Sequence, residues 1–180
     1  LQNLCVIFAL DRAGLVGDDG PTHNGPFDIA YFRAIPNVTI MVPKDENELQ
    51  HMLYTATFIK GPCTLRYPRG SGIGVGLDAE FRKLEIGKGE ILREGNDLLI
   101  LGVGPILYDA MQVVEELKCK PTIINAGFVK PLDEELILKY ARKIKNIITL
   151  EEATINGSFG SAVIELIEFA GKSKSKPLRS

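Results

Sequence analysis

The chain has no tryptophan, two histidines among 180 residues, and three cysteines too far apart to frame a fold. Cys5, Cys63 and Cys119 are odd in number and sit in or beside apolar segments. That argues against a disulfide framework or a zinc site and suits reduced thiols in a cytosol-like compartment. No apolar run approaches the ~20 residues of a membrane span. Lysine and arginine are scattered and the net charge is −2, so the basic face of a nucleic-acid or membrane-surface protein is missing. There is no internal repeat and no low-complexity tract. What is abundant is apolar side chain, 45% of residues, enough to build the core of one domain or two small ones. The chain opens at Leu1, without Met and three residues before a strand-like run, which is the expectation for a piece of a longer protein whose targeting segment lies elsewhere.

Strand-like and helix-like stretches alternate. Residues 4–10 (LCVIFAL) read as a fully buried strand, and Pro26–Ala34 as a short helix with proline at its first position. Val38–Val42 is β-rich and closed by Pro43. Asp45 and Glu48 then form a capping-box pattern ahead of Leu49, Met52, Leu53 and Ala56 at helical spacing. Gly61-Pro62 breaks that helix before a strand at Thr64–Tyr67. Residues 70–96 change character: a flexible glycine-rich run (Gly70–Gly76), a charged stretch (Asp78–Lys88) without period, and one edge strand near Gly89–Leu92. A second alternation follows, with strands at 98–103, 122–125 and 147–150. The helix at 105–118 should bury Ile106, Ala110, Val113, Val114 and Leu117. A helix capped by Asp133 carries Leu136, Ile137, Tyr140 and Ala141, and a last one runs over 158–170 with Gly171 as its C-cap. The basic tail 172–180 is expected to fray. The predicted fold class is α/β: two small domains with parallel or mixed sheets, at 1–75 and 93–180, joined by a linker at 76–92.

The loop Asp11–Asp28 (DRAGLVGDDGPTHNGPFD) carries the chemistry. It leaves the carboxyl end of the first strand, the edge at which parallel sheets bind ligands. Arg12 and Arg69 each lie just beyond such a strand end, so two guanidinium forks can converge on a phosphate; the alternative is a pair of surface or ion-paired arginines. His23 sits in a glycine-flanked turn, and Asp19, four residues earlier, can fix its tautomer for proton transfer; the alternative is a surface histidine. Asp18 and Asp19 lack a third ligand at calcium-loop spacing, so no metal site is expected. Gly102-Val-Gly104 lacks the third glycine of a dinucleotide fingerprint and reads as a tight strand-to-helix turn. His51 reads as structural, with no polar constellation near it in sequence. Of Glu151 and Glu152, one should pack on a neighbouring loop and the other meet solvent.

That loop closely resembles the signature of the 1-deoxy-D-xylulose-5-phosphate synthase family, within the transketolase superfamily. The likeness continues through Arg33–Asn37, Val42–Glu48, Arg66–Gly70, Phe128–Asp133 and Gly157–Ala162, in order and over essentially the whole chain before the tail. It implies part of a thiamine-diphosphate pyrimidine-binding domain followed by a truncated transketolase C-terminal domain. The family joins pyruvate to D-glyceraldehyde 3-phosphate with loss of CO2, for isoprenoid, thiamine and pyridoxal phosphate synthesis, with thiamine diphosphate and Mg2+ carrying the carbanion chemistry. Carried over by position, His23 would move a proton, Asp19 would hold substrate hydroxyls or His23, and Arg12 and Arg69 would clamp the triose phosphate. The Gly-Asp-Gly…Asn-Asn segment that holds Mg2+ and diphosphate is absent, and with it any expected cofactor or metal ligand; these belong upstream of Leu1 in an N-terminal domain. The chain alone is therefore expected to bind no cofactor and to be inert, and the whole protein to be a homodimer in the cytoplasm or a plastid. Two other readings share the domain order: the β subunit of a 2-oxoacid dehydrogenase or split transketolase, and a non-catalytic assembly module.

Overall fold

The computed structural model describes residues 2–17, 20–116 and 118–172. The first sheet has the order β1 (Ile7–Leu10), β3 (Cys63–Arg66), β2 (Thr39–Met41) and β7 (Phe128–Lys130). Its first three strands are parallel, and β7 runs antiparallel to β2. The second sheet has the order β4 (Glu90–Arg93), β6 (Thr122–Asn125), β5 (Leu99–Gly102) and β8 (Ile147–Leu150). There β5 lies parallel to β6 and β8, while β4 is antiparallel. The helices are α1 (Asp28–Ala34), α2 (Glu46–Ala56), α3 (Ile106–Glu116), α4 (Glu134–Ala141) and α5 (Phe159–Lys172). Among the described residues no helix is long and apolar enough to cross a membrane.

The expected α/β class with mixed sheets is what forms, with several corrections. Residues 4–10 are not a fully buried strand: β1 is an edge strand with one neighbour, and Val6, Ile7 and Phe8 each keep about 40% of their surface exposed. Helix α1 starts at Asp28 and not at Pro26, whose carbonyl is taken outside the helix by the Thr154 N–H at 2.8 Å. Helix α3 is rotated from the expected face. Leu107 and Val114 are buried and Val113 is exposed, and on this helix the Tyr108 hydroxyl donates to Asp45 Oδ2 at 2.8 Å. Leu117 lies outside the described residues. Gly171 falls inside α5 and does not cap it; the tail beyond Lys172 is also outside the described residues. Strand β7 was not expected. Its three residues follow Gly127 too closely on β6 to show as a separate run in the sequence, yet they cross into the first sheet.

The two halves therefore share a core. Ile29, Val38, Ile40 and Val42 pack in one buried cluster with Leu99, Leu101, Ile124, Val129 and Phe159. Nor does the glycine-rich and charged segment trail free. The polar face of α2 holds it: Asn47 Oδ1 accepts from Asp78 N at 2.8 Å, and His51 Nδ1 accepts from Arg82 N at 3.1 Å while Nε2 lies 2.8 Å from Asp78 Oδ2. His51 is structural, as expected, although its polar partners lie 27 and 31 residues away and so were invisible locally.

Polar groups also bridge the halves. Asp45 caps α2 by accepting from Glu48 N at 2.7 Å. Glu48 bonds Lys44 N at 2.6 Å, one residue before its capping-box target, and accepts from Asn125 Nδ2 at 2.8 Å. Burial, then the Asp45 hydrogen bond and charge, pushes the Tyr108 hydroxyl up to about 12. The folded chain thus holds this proton above the ordinary tyrosine value of ~10, where the unfolded chain has begun to lose it. Stability from this group is complete below pH ~10 and is lost as pH rises toward about 12. In thermal melts across that window the wild-type chain should lose stability more steeply than Tyr108→Phe; parallel slopes would show that the contact carries no linkage.

Candidate active site

Because β1, β3 and β2 are parallel, their carboxyl ends share one edge, and the chain leaving each contributes to a single cavity of about 510 Å3. Asp11 and Arg12 enter it after β1, Pro43, Asp45 and Glu46 after β2, and Tyr67 to Ile73 after β3; Pro105 of the second half closes one side. Arg12 and Arg69, 57 positions apart in sequence, line this same cavity. Arg12 pairs with the Asp11 carboxylate and has φ +57°, in the left-handed region that costs a side-chain-bearing residue roughly 1–2 kcal/mol.

The surroundings enforce that conformation. Ala13 N donates to Tyr67 O at 3.1 Å, and Gly14 and Gly25 exchange hydrogen bonds at 3.3 and 2.9 Å. Asn24 Oδ1 accepts from Val16 N at 2.5 Å, closing the loop on itself. A Cβ at Gly25 would stand 2.6 Å from Arg12 O, so only glycine permits the two limbs of the loop to approach. His23 ends a 3-10 turn, Pro21–His23, exposed to solvent, with Nδ1 3.1 Å from Thr22 Oγ1. It does not line the cavity of the arginines. Asp18 and Asp19 lie outside the described residues.

Beneath the loop sits a residue that the sequence reading left without a role. Arg66, the last residue of β3, is 3% exposed. Its Nε donates to both oxygens of buried Asp28, at 2.8 and 2.9 Å. One terminal nitrogen donates to Gly25 O at 2.9 Å and to Glu152 O at 2.7 Å. One guanidinium thereby joins β3, the end of the signature loop, α1 and the second half. The available signal was an arginine in the otherwise uncharged run Cys63-Thr-Leu-Arg66. Glu151 takes the role expected of a packed carboxylate, accepting from the N–H groups of Phe159 and Gly160 at the start of α5, both at 2.7 Å. Burial pushes its carboxyl up, while the Glu152 side chain meets solvent. Gly104, with φ +84°, makes the tight turn expected after β5. Among the described residues no group of three or more His, Cys, Asp or Glu side chains is placed to hold a metal ion.

Comparison with known proteins agrees with this architecture. Residues 1–73 match the model of the transketolase pyrimidine binding domain and residues 87–178 that of the transketolase C-terminal domain. The 1-deoxy-D-xylulose-5-phosphate synthase of Syntrophus aciditrophicus is 54% identical over 93% of this chain and 26% of its own length. That of Rippkaea orientalis is 57% identical over 92% of this chain and 27% of its own length. The chain thus spans about a quarter of the curated relatives it matches. Among solved structures, a split-gene transketolase described as an inactive β4 tetramer superposes with a TM-score of 0.77 at 28% identity, covering 96% of this chain and 55% of that one. The transketolase of Campylobacter jejuni, at 19% identity and a TM-score of 0.63, covering 92% of this chain and 31% of its own, shares the fold. The chain belongs to the transketolase family, with β1, β2 and β3 in the pyrimidine binding domain and the second sheet, together with β7, in the C-terminal domain.

Proposed function

We propose that the chain is part of a 1-deoxy-D-xylulose-5-phosphate synthase, a thiamine-diphosphate-dependent transferase joining pyruvate to D-glyceraldehyde 3-phosphate with loss of CO2. The whole protein works in the cytoplasm as a homodimer, with the present residues divided at 76–92 into two units, 1–75 and 93–180. The observation that carries the reading is the meeting of Arg12 and Arg69 in one cavity at the carboxyl edge of a parallel sheet. Two planar forks there suit the phosphate of the triose acceptor. His23, on the same loop as Arg12, is the proton carrier, and Asp19 is its partner or a ligand of substrate hydroxyls.

The diphosphate and Mg2+ end of thiamine diphosphate does not fit these residues: the sequence lacks the Gly-Asp-Gly…Asn-Asn segment, and no metal-binding group forms among the described residues. What the chain contributes is handling of the acceptor, by phosphate clamping and proton transfer, against chemistry supplied by another part of the protein. Hydrogen bonds to charged groups contribute about 1.5–3 kcal/mol each. In the full-length protein, Arg69→Ala should therefore raise KM for glyceraldehyde 3-phosphate by roughly ten- to a hundredfold and leave KM for pyruvate in place. Equal rises for both substrates would remove the phosphate role. The isolated chain should neither bind thiamine diphosphate at micromolar concentration nor turn over.

A further inference from the structure

One carboxylate in the cavity wall points away from any role in binding an anion. Glu46, the first residue of α2, lines the cavity with Arg69, Gly70, Ser71 and Gly72. Its two oxygens accept three consecutive backbone N–H groups: Ile73 at 3.1 Å, Gly74 at 2.6 Å and Val75 at 3.0 Å. Its own backbone N–H and those of Gly74, Ile73 and Val75 hold the carboxyl below the usual range, so it is ionised and its charge is spent on the loop. A negative side chain in the wall of a cavity lined by two arginines would repel a phosphate if it faced the cavity unpaired; with its oxygens on three backbone donors it serves as an anchor.

The segment it anchors needs one. Residues 70–76 read Gly-Ser-Gly-Ile-Gly-Val-Gly, a composition with large backbone freedom, and Gly70 and Gly74 have φ of +137° and +90°. Arg69 sits between the end of β3 and this anchor, on the stretch whose direction the anchor sets. The fit is close. A Cβ at Gly72 would stand 2.7 to 2.9 Å from the Glu46 carboxylate, so the loop passes over the carboxylate with no room for a side chain.

We propose that Glu46 is a positioning residue for acceptor recognition: its carboxylate straps the 70–76 loop so that Arg69 stays in the cavity, and this sets the preference for a phosphorylated over an unphosphorylated aldehyde. The inference rests on the phosphate role of Arg69 given above. It concerns binding of one substrate only, because Glu46 touches the loop and not the reacting atoms.

The test uses the full-length protein with pyruvate and two acceptors, D-glyceraldehyde 3-phosphate and D-glyceraldehyde. Glu46→Ala removes all three acceptor contacts, Glu46→Gln keeps one carbonyl oxygen, and Gly72→Ala displaces the carboxylate without changing it. Glu46 is partly exposed and the atoms that a Cβ at Gly72 would meet are the far end of a side chain and not backbone, so all three variants should melt close to wild type. KM for glyceraldehyde 3-phosphate should rise about three- to tenfold in Glu46→Ala and Gly72→Ala and less in Glu46→Gln. KM for pyruvate, kcat, and kcat/KM for glyceraldehyde should hold. Both acceptors weakening together, kcat falling alone, or no change would overturn the proposal. Arg69→Ala, run in parallel, separates the two failures. If it discriminates between the acceptors and the Glu46 variants do not, only the strap falls; if it does not discriminate, the phosphate reading falls and takes the strap with it.

Discussion

Arg66→Met should cost the chain about 3–5 kcal/mol of folding stability, the range seen when a buried ion pair is broken from one side. The size follows from what stays behind. Asp28, with 8% of its side chain exposed, would lose both contacts from Nε and keep, among the described residues, the N–H of Ile29 at 2.8 Å. The carbonyls of Gly25 and Glu152 would lose their donor as well. Methionine fills most of the volume, so the loss reports polar groups stranded without partners and not a cavity. Removing Asp28 together with Arg66, as in Asp28→Leu/Arg66→Met, should recover much of the cost, since two apolar groups strand no charge. The two carbonyls would still cost about 1 kcal/mol each. Urea unfolding of the wild type, both single variants and the double variant gives the coupling. Strictly additive losses, or a single-variant loss under about 1 kcal/mol, would show that the guanidinium does not hold Asp28 in place.

Arg66 also marks the boundary of what could be read in advance. Elements that declare themselves through local pattern were legible: the capped start of α2 at Asp45, the capped start of α4 at Asp133, the buried runs of β5 and β6, and the turn at Gly104. So was the position of Arg12 and Arg69 at strand ends, because a parallel sheet fixes where its carboxyl edges lie. What failed depended on partners distant in sequence. Burial of β1 is decided by how many strands flank it, the face that α3 buries by what packs on it from the rest of the chain, and the path of β7 by its pairing with β2. The glycine-rich loop read as flexible since its anchor, Glu46, lies 27 to 29 residues earlier. In each case the local pattern did not name the partner, and a tertiary contact chose.

His23→Ala in the full-length protein should lower kcat by roughly 10²–10⁴-fold, the contribution of a positioned general acid or base. The loop gives this histidine two properties that a surface residue does not need. Its turn is closed at the base by the Val16–Asn24 and Gly14–Gly25 hydrogen bonds, which tie the two limbs of the loop that carries it. Its Nδ1 lies 3.1 Å from Thr22 Oγ1, so Nε2 is the ring nitrogen that the proposed proton transfer would use. The same loop ends at Gly25, where Arg66 holds it, so loss of Arg66 should act on rate partly through His23. The variants differ in stability: Arg66→Met should lower both the unfolding midpoint and kcat, whereas His23→Ala, an exposed change, should lower kcat alone. A His23→Ala enzyme within threefold of wild-type kcat would leave the arginine-lined cavity as a binding site whose proton carrier lies on another part of the protein.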